Sequence, residues 1–132
     1  VQTAIHERLR TRLTTREDSR AVGQILRALT SGEEPLLPGV VEKRLRPYRL
    51  RPRVFLIARA LSPDEQTSAY VEAYYTTYRH VRPHLNGDSL RQMGIPPGPR
   101  YAELLDGVLA AKLNEGLTTL AEEQALLEAH LG

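Results

Sequence analysis

Apolar residues recur along this chain at intervals of three and four, the spacing that places them on one side of an α-helix. In the first third, this pattern predicts a helix over residues 2–13 and a second helix that ends near Leu29. Thr14 and Glu17 have the spacing of a capping box at the start of the second helix. One kinked, continuous helix is the alternative interpretation. The predicted buried side of the second helix consists of Ala21, Val22, Ile25, Leu26 and Leu29.

The middle of the chain predicts three more helices, over residues 37–45, 52–61 and 63–80. Ser62 and Pro63 favour the start of the last of these, because serine caps helix N-termini and proline suits the first helical position. Pro83 is expected to end it. Its predicted apolar side consists of Ala69, Tyr70, Ala73, Tyr74 and Tyr78. Helical spacing favours packing of these tyrosines in a core over stacking on unpaired bases.

Residues 85–105, here called the proline-turn unit, have the most specific order in the chain. Asn86 and Asp88 can each cap a short helix, which Gly94 is expected to end with a left-handed residue. Ile95 is expected to be buried, and the prolines that follow cannot continue a helix. The residues predicted to shape the turn are Gly94, Pro97, Gly98 and Pro99.

Two helices are predicted after this turn. The first begins at Arg100 and is expected to extend to about Asn114, before Gly116. The second begins at Thr119, which together with Glu122 forms a Thr-x-x-Glu capping box. The predicted apolar residues of this last helix are Leu120, Ala125, Leu126 and Leu131.

No segment predicts a strand, so the expected fold class is all-α. The pattern indicates a bundle-like array of seven or eight helices in two small subunits, residues 1–62 and residues 63–132. At 132 residues with 41% hydrophobic and 26% charged side chains, the chain has the composition of a soluble globular protein. It contains no cysteine, which excludes disulfides and thiolate metal sites. No apolar run is long enough to span a membrane, and a cytoplasmic location is expected.

The run Leu-x-Gly-x-x-Leu-x-x-x-Gly-Ile-x-Pro-Gly-Pro that begins at Leu85 resembles the C-terminal part of the bacterial tRNA nucleotidyltransferase and poly(A) polymerase family. These are the CCA-adding or A-adding enzymes. Lys112, Gly116 and the Thr119 helix start add to the resemblance, as does the lead-in over residues 78–83. It covers residues 63–132 well and the first half loosely. The chain starts at Val1, inside an amphipathic pattern, and we expect it to be a piece of a longer protein.

The resemblance implies a body-like subunit and a tail-like subunit that hold tRNA while a separate head domain performs catalysis. It also implies Mg²⁺ and a nucleoside triphosphate as cofactor and substrate of the parent enzyme. The family's Asp-x-Asp pair is missing from this chain, and Asp88 is explained by helix capping. No catalytic residue and no cofactor is therefore predicted here. Whether the parent adds CCA, A only or a poly(A) tail does not follow from this sequence.

The positive charge is concentrated in the first three quarters of the chain. Residues 1–100 contain 17 of the 18 Lys and Arg and 10 of the 16 acidic residues, a net charge of +7, whereas residues 101–132 carry −5. A dense basic run lies over residues 43–59, which contain no acidic residue, and it is interpreted as unopposed positive charge. It favours a surface that follows phosphates, with a solvated loop or an acidic partner domain as the alternatives.

Two groups of basic residues are predicted to contact RNA. The first flanks the proline-turn unit and is expected to gather near the turn. It comprises Arg79, His80, Arg82, Arg91 and Arg100. The second lies in the basic run and comprises Arg44, Arg46, Arg49 and Arg51. Because prolines lack an N–H, the turn is expected to fix shape while side chains contact phosphates. This separates it from the glycine-rich hairpin of DNA-binding helix-hairpin-helix units.

Two further pairs of polar residues, one of histidines and one of glutamates, are not predicted to form a functional site. His80 and His84 have a zinc-ligand spacing, but Pro83 breaks their helix and no third ligand lies nearby, so no metal site is predicted. Glu122 and Glu123 are adjacent and are interpreted as solvated charge.

The predicted function is therefore that of a non-catalytic region that positions the tRNA 3′ end for nucleotide addition elsewhere. Its expected partners are tRNA or another structured RNA, and the N-terminal catalytic domain of the same parent chain. The alternatives are a helical DNA-binding domain and a protein-interaction module with an acidic partner.

Overall fold

A computed structural model describes residues 16–30 and 35–131 of the chain. These residues form α-helices, short 3₁₀ turns and loops without a strand, which confirms the all-α class. The α-helices are α1 (Arg16–Leu29), α2 (Pro38–Leu45), α3 (Pro52–Ala60), α4 (Glu65–Thr76), α5 (Gly87–Gln92), α6 (Arg100–Glu115) and α7 (Leu120–Leu131). The predicted helix over residues 2–13 and Thr14 of the first capping box lie outside the described residues.

The fold consists of two compact units. Unit 1 contains α1, most of α2, α3 and α4, whereas unit 2 contains Leu37–Gly39 and the chain from His80 onward. The sequence pattern placed the division after residue 62 instead. It falls later because α4 packs on α3, with the ring of Tyr74 centred 5.0 Å from that of Phe55.

The core of unit 1 is formed by one side each of α1, α3 and α4. In α1 the predicted positions Ala21, Val22, Ile25 and Leu29 are buried, and Leu26 packs at the edge of the core. The tyrosines of α4 belong to this core, as their spacing predicted. Tyr74 is fully buried, Tyr70 and Tyr75 pack around it, and the Tyr70 hydroxyl accepts a hydrogen bond from the Leu36 N–H at 2.8 Å.

Helix α4 is shorter than the sequence indicated at both ends. Ser62 does not cap it, because its hydroxyl donates to the Ala58 carbonyl at 2.8 Å. Asp64 is the N-cap and accepts the Thr67 N–H at 2.7 Å. At the other end the Thr76 hydroxyl donates to the Glu72 carbonyl at 2.7 Å, a local bond that competes with the helical ladder. The α-helix stops there, and a 3₁₀ turn covers Tyr78–His80.

The predicted apolar sides of α4 and α7 are both partly wrong. In α4 the buried residues are Thr67, Val71 and Tyr74, whereas Ala69 is exposed. In α7 they are Glu123 and Leu127. The predicted Leu120, Ala125 and Leu131 are exposed, because α7 turns a hydrogen-bonded glutamate toward the core and rotates those apolar positions outward.

The core of unit 2 forms around the proline-turn unit. Its buried residues come from the segment before α5, from α5, the turn, α6 and α7, and are Leu85, Leu90, Ile95, Leu104, Val108 and Leu127. Gly39 lies close to α6, where a Cβ built on it would come within 2.9 Å of the Ala110 Cβ. Its N–H donates to Asn114 Oδ1 at 2.8 Å. These contacts place residues 37–39 with unit 2.

Candidate nucleic-acid interface

The first half of the proline-turn unit is a short helix with closed ends. Asn86 accepts the Ser89 N–H at 2.9 Å, and the Ser89 hydroxyl accepts the Asn86 N–H at 3.2 Å, which completes a capping box. Asp88, interpreted from sequence as a cap, instead lies in the first turn of α5, where its charge favours the helix dipole. Asn86 already occupies the capping position, so that interpretation of Asp88 is wrong.

The C-terminus of α5 is closed by the glycine that the sequence predicted. Gly94 has a φ of +84°. Its N–H donates to the Arg91 carbonyl at 3.0 Å, and the Ile95 N–H donates to the Leu90 carbonyl at 3.1 Å. This pair of bonds is a Schellman motif, and the buried side chains of Leu90 and Ile95 provide the hydrophobic contact that accompanies it. The chain therefore leaves α5 in one defined direction.

Tyr101 fastens the second half of the turn, a role that the sequence analysis missed. Its hydroxyl donates to the Ile95 carbonyl, and its N–H donates to the Gly98 carbonyl at 3.0 Å. Pro99 has helical backbone angles and directly precedes α6. Because the prolines have no N–H and Tyr101 uses its own, few backbone donors remain for an anion at this helix start. The geometry supports a turn that fixes shape.

Three of the predicted RNA-binding arginines project from unit 2. Arg82, Arg91 and Arg100 are exposed. Arg82 donates to the Val81 carbonyl at 2.9 Å, and Arg91 lies 3.6 Å from Asp88 in a pair exposed to water on both sides. Arg100 is the first residue of α6. His80 is also exposed. The gathering of these side chains near the turn stays a prediction.

Arg79 has a structural environment in unit 1. Its guanidinium lies over the Tyr75 ring, 4.1 Å from the centroid, and its Nε donates to the Tyr75 carbonyl. Tyr75 belongs to the last turn of α4, where helix carbonyls generally lack an intrahelical partner. The structure therefore gives Arg79 a stacking contact with Tyr75 and a hydrogen bond at the C-terminal turn of α4.

Glu123 binds three residues of unit 2, which contradicts its interpretation as solvated charge. It is fully buried. Its Oε1 accepts the His84 N–H at 2.8 Å and the Leu85 N–H at 3.1 Å, and its Oε2 accepts the Lys112 ammonium at 3.1 Å. Lys112 also donates to the Arg82 carbonyl at 3.0 Å. Glu123 and Lys112 thus attach residues 82–85, the segment that carries Arg82, to α6 and α7.

The protonation of Glu123 follows from these contacts. Burial by itself raises the pKa of this carboxyl group, because it disfavours the charged form. The two backbone N–H groups of His84 and Leu85 and the ammonium of Lys112 outweigh burial and lower the pKa below its ordinary value. Glu123 is therefore a carboxylate at neutral pH, and its charge is compensated by Lys112.

Glu122, next to it, caps α7 as the sequence predicted. The Thr119 hydroxyl accepts the Glu122 N–H at 3.1 Å, and Glu122 Oε1 accepts the Thr119 N–H at 3.2 Å. Hydrogen bonds from the Thr119 hydroxyl and the Thr118 N–H lower the pKa of Glu122. Adjacent glutamates therefore have two different structural roles.

The basic run of unit 1 is opposed by acids that lie outside residues 43–59, one of them directly before the run, so its interpretation as unopposed charge is wrong. Asp18 of α1 is buried and pairs with Arg51 and, at 2.9 Å, with Arg53. Glu42, also buried, binds the guanidinium of Arg46 through both oxygens. Arg59 lies 3.2 Å from Glu72.

Arg44 of the second predicted group also has a hydrogen-bond partner within unit 1. Its Nη1 donates to the Ala28 carbonyl at 2.7 Å, near the C-terminus of α1. A basic side chain is favourable there because the last carbonyls of a helix carry partial negative charge. Arg44, Arg46 and Arg51 therefore stabilise unit 1, and Arg49 alone among the four remains exposed without an ion pair to a described residue.

The histidine pair does not form a metal site with the described residues. The His84 N–H is bound to Glu123, and its Nε2 lies 3.1 Å from the Thr118 carbonyl. Within residues 16–30 and 35–131, no three His, Asp or Glu side chains are grouped so that they could hold a metal ion. The Mg²⁺ that the resemblance implies for the parent enzyme has no matching ligand set among these residues.

One curated protein provides an independent comparison. The chain is 40% identical over 77 residues to the A-adding tRNA nucleotidyltransferase of Geobacter sulfurreducens. The two proteins are related. The matched segment covers 58% of this chain but 9% of that much longer enzyme, so the chain corresponds to a small part of it. No protein-family model and no solved structure matches the chain. In the described residues, no helix is both long and apolar enough to cross a membrane.

Proposed function

We propose that this chain is the non-catalytic C-terminal region of a tRNA nucleotidyltransferase or poly(A) polymerase-like protein. In this proposal it binds tRNA and positions the 3′ end for nucleotide addition by a head domain of the same parent chain, in the cytoplasm. The observation that carries the proposal is the 40% identity over 77 residues to an A-adding tRNA nucleotidyltransferase.

The geometry of unit 2 supports a positioning role. Arg82, Arg91 and Arg100 are exposed on a framework whose backbone is fixed by the α5 capping box, the Schellman motif and the Tyr101 bonds. Arginine suits contacts to phosphate because its planar guanidinium donates two parallel hydrogen bonds. Duplex RNA is recognised mainly through its shape, phosphates and 2′-hydroxyls, so a rigid display of arginines fits this partner.

The test is binding of the 132-residue chain to labelled tRNA over a salt series. The triple variant Arg82→Gln/Arg91→Gln/Arg100→Gln is expected to bind tRNA more weakly. The slope of log affinity against log salt concentration should become shallower by about 2 to 3, because binding releases fewer counterions when phosphate contacts are lost. A matched control, Arg20→Gln/Arg27→Gln/Arg59→Gln, removes three exposed charges from α1 and α3 and is expected to reduce the slope less.

A duplex DNA of similar charge serves as competitor in the same series. Preference for tRNA supports the proposal. Equal binding of both nucleic acids contradicts it and indicates a generic basic surface. Absence of any salt-dependent binding also contradicts it and favours an interaction of the basic side chains with an acidic protein.

A further inference from the structure

A second basic feature lies in unit 1, at the turn that joins α2 to α3. An open groove there is lined by Lys43, Arg46, Pro47, Arg49 and Leu50. The turn begins as a 3₁₀ helix, Arg46–Tyr48, with Pro47 in its second position. It continues through two hydrogen bonds, Arg49 N–H to the Arg46 carbonyl at 3.1 Å and Arg51 N–H to the Tyr48 carbonyl at 2.9 Å.

Three side chains of this turn attach it to the body of unit 1. Arg46 binds Glu42 through two hydrogen bonds, and Arg51 binds the buried Asp18 of α1. The Tyr48 hydroxyl donates to Gln24 Oε1 at 2.8 Å. Since these attachments start from both ends and the middle of the turn, the backbone between them is held in place before any ligand binds.

The remaining side chains of the groove face water. Lys43 and Arg49 are exposed, and neither forms an ion pair with a described residue. Leu50 lies between the attached residues and has 85% of its surface exposed. Arg46 also lines the groove, but the carboxylate of Glu42 compensates its charge. The groove therefore presents two uncompensated cations beside one apolar side chain.

We infer that this groove is a phosphate-binding subsite for RNA, in which Lys43 and Arg49 contact backbone phosphates and Leu50 packs on the adjacent sugar. The inference rests on the proposed tRNA-binding function. In unit 1 it assigns phosphate contact to Lys43 and Arg49 and no longer to Arg44, Arg46 and Arg51. RNA fits the groove better than a protein partner does, because protein interfaces are enriched in aromatic side chains at their centres and this groove has a single exposed leucine.

The experiment compares two double variants of the full 132-residue chain with the wild type, using labelled tRNA over a salt series. Lys43→Gln/Arg49→Gln is expected to weaken binding roughly tenfold and to reduce the salt slope by about 1.5 to 2. The control Arg20→Gln/Arg59→Gln removes the same charge from exposed positions outside the groove and is expected to change affinity by less than about threefold. Thermal unfolding followed by circular dichroism checks that both variants remain folded.

A third variant tests the apolar part of the groove. Leu50→Gln is expected to weaken tRNA binding while leaving the salt slope unchanged, because it removes no charge. If the wild type prefers tRNA but the two double variants weaken binding equally, affinity depends only on net charge. That result contradicts the subsite and leaves the proposed function standing. If the wild type shows no tRNA binding at all, the proposed function and the subsite both fail.

Discussion

At the scale of single residues, the pairing of Glu123 with Lys112 determines how residues 82–85 are held. The carboxylate of Glu123 is fully buried, and the Lys112 side chain is 13% exposed. A buried carboxylate of this kind is tolerated because its oxygens are hydrogen-bonded and an opposite charge lies nearby. Removal of either partner leaves the other charge without compensation in a poorly solvated place.

We therefore expect Glu123→Gln to lower the free energy of unfolding by about 3 kcal/mol, since the neutral amide leaves Lys112 uncompensated. Urea denaturation followed by circular dichroism measures the change. Glu128→Gln is the matched control, because Glu128 is an exposed residue of the same helix, and a change within about 0.5 kcal/mol is expected. Equal effects of the two substitutions would show that the buried pair contributes nothing to stability.

At the scale of elements, the ends of the helices in unit 2 are determined by local chemistry. Gly94 and Gly116 both have positive φ angles, +84° and +74°, and each follows the last turn of a helix. A side chain in this conformation places its Cβ too close to the backbone, which costs about 1 to 2 kcal/mol. Gly107 differs because it lies inside α6, where a Cβ would meet no other atom within 4 Å.

The two kinds of glycine predict alanine substitutions of opposite sign. Gly94→Ala is expected to lower the free energy of unfolding by about 1 kcal/mol through backbone strain. Gly107→Ala is expected to raise it by about 0.5 to 1 kcal/mol, because alanine loses less entropy in a helix than glycine does. Chemical denaturation of both variants measures the two changes. Destabilisation by Gly107→Ala would contradict the exposed helical environment assigned to it.

At the scale of the whole molecule, buried and capping carboxylates offset much of the positive charge locally and make stability depend on pH. Hydrogen bonding from the Thr67 backbone lowers the pKa of Asp64 in unit 1. In unit 2, the pKa of Glu122 and that of Glu123 are also below their ordinary values. A carboxyl group with a lowered pKa in the folded state stabilises that state only while it is ionised.

The stabilisation by Glu123 is therefore complete above the pKa that its carboxyl group has in the unfolded chain, about 4.5. It is lost as the pH falls through the lower pKa of the same group in the folded state. We expect the free energy of unfolding of the wild type to decrease below pH 4.5. The difference between wild type and Glu123→Gln should narrow over the same range, because the variant lacks this titrating group. Denaturation curves between pH 7 and pH 3 provide the measurement. A difference that stays constant with pH would contradict the role of the Glu123 charge.

The predicted RNA-binding residues illustrate how far a sequence can identify a surface. Arg91 and Arg100 were selected because they lie beside a distinctive turn, which needs only local information. Both are exposed, and their contact with RNA stays a prediction. For Arg46 and Arg51 the charge pattern did not show that Glu42 and the distant Asp18 bind their guanidinium groups, and contact of these two arginines with RNA stays a prediction. Lys43 and Leu50 were not selected, because the pattern of charges does not show which residues of a basic run remain exposed.

The sequence by itself determined the all-α class, the buried side of α1, the capping box at Thr119 and the glycine that ends α5. These features depend on interactions within about one helical turn, so the order of nearby residues is sufficient to specify them. Only the tertiary structure decided that α4 packs with unit 1, that Glu123 is buried and that Asp18 forms ion pairs with two arginines. Each of these depends on residues that are distant in sequence, and local periodicity contains no information about which distant partner completes a contact.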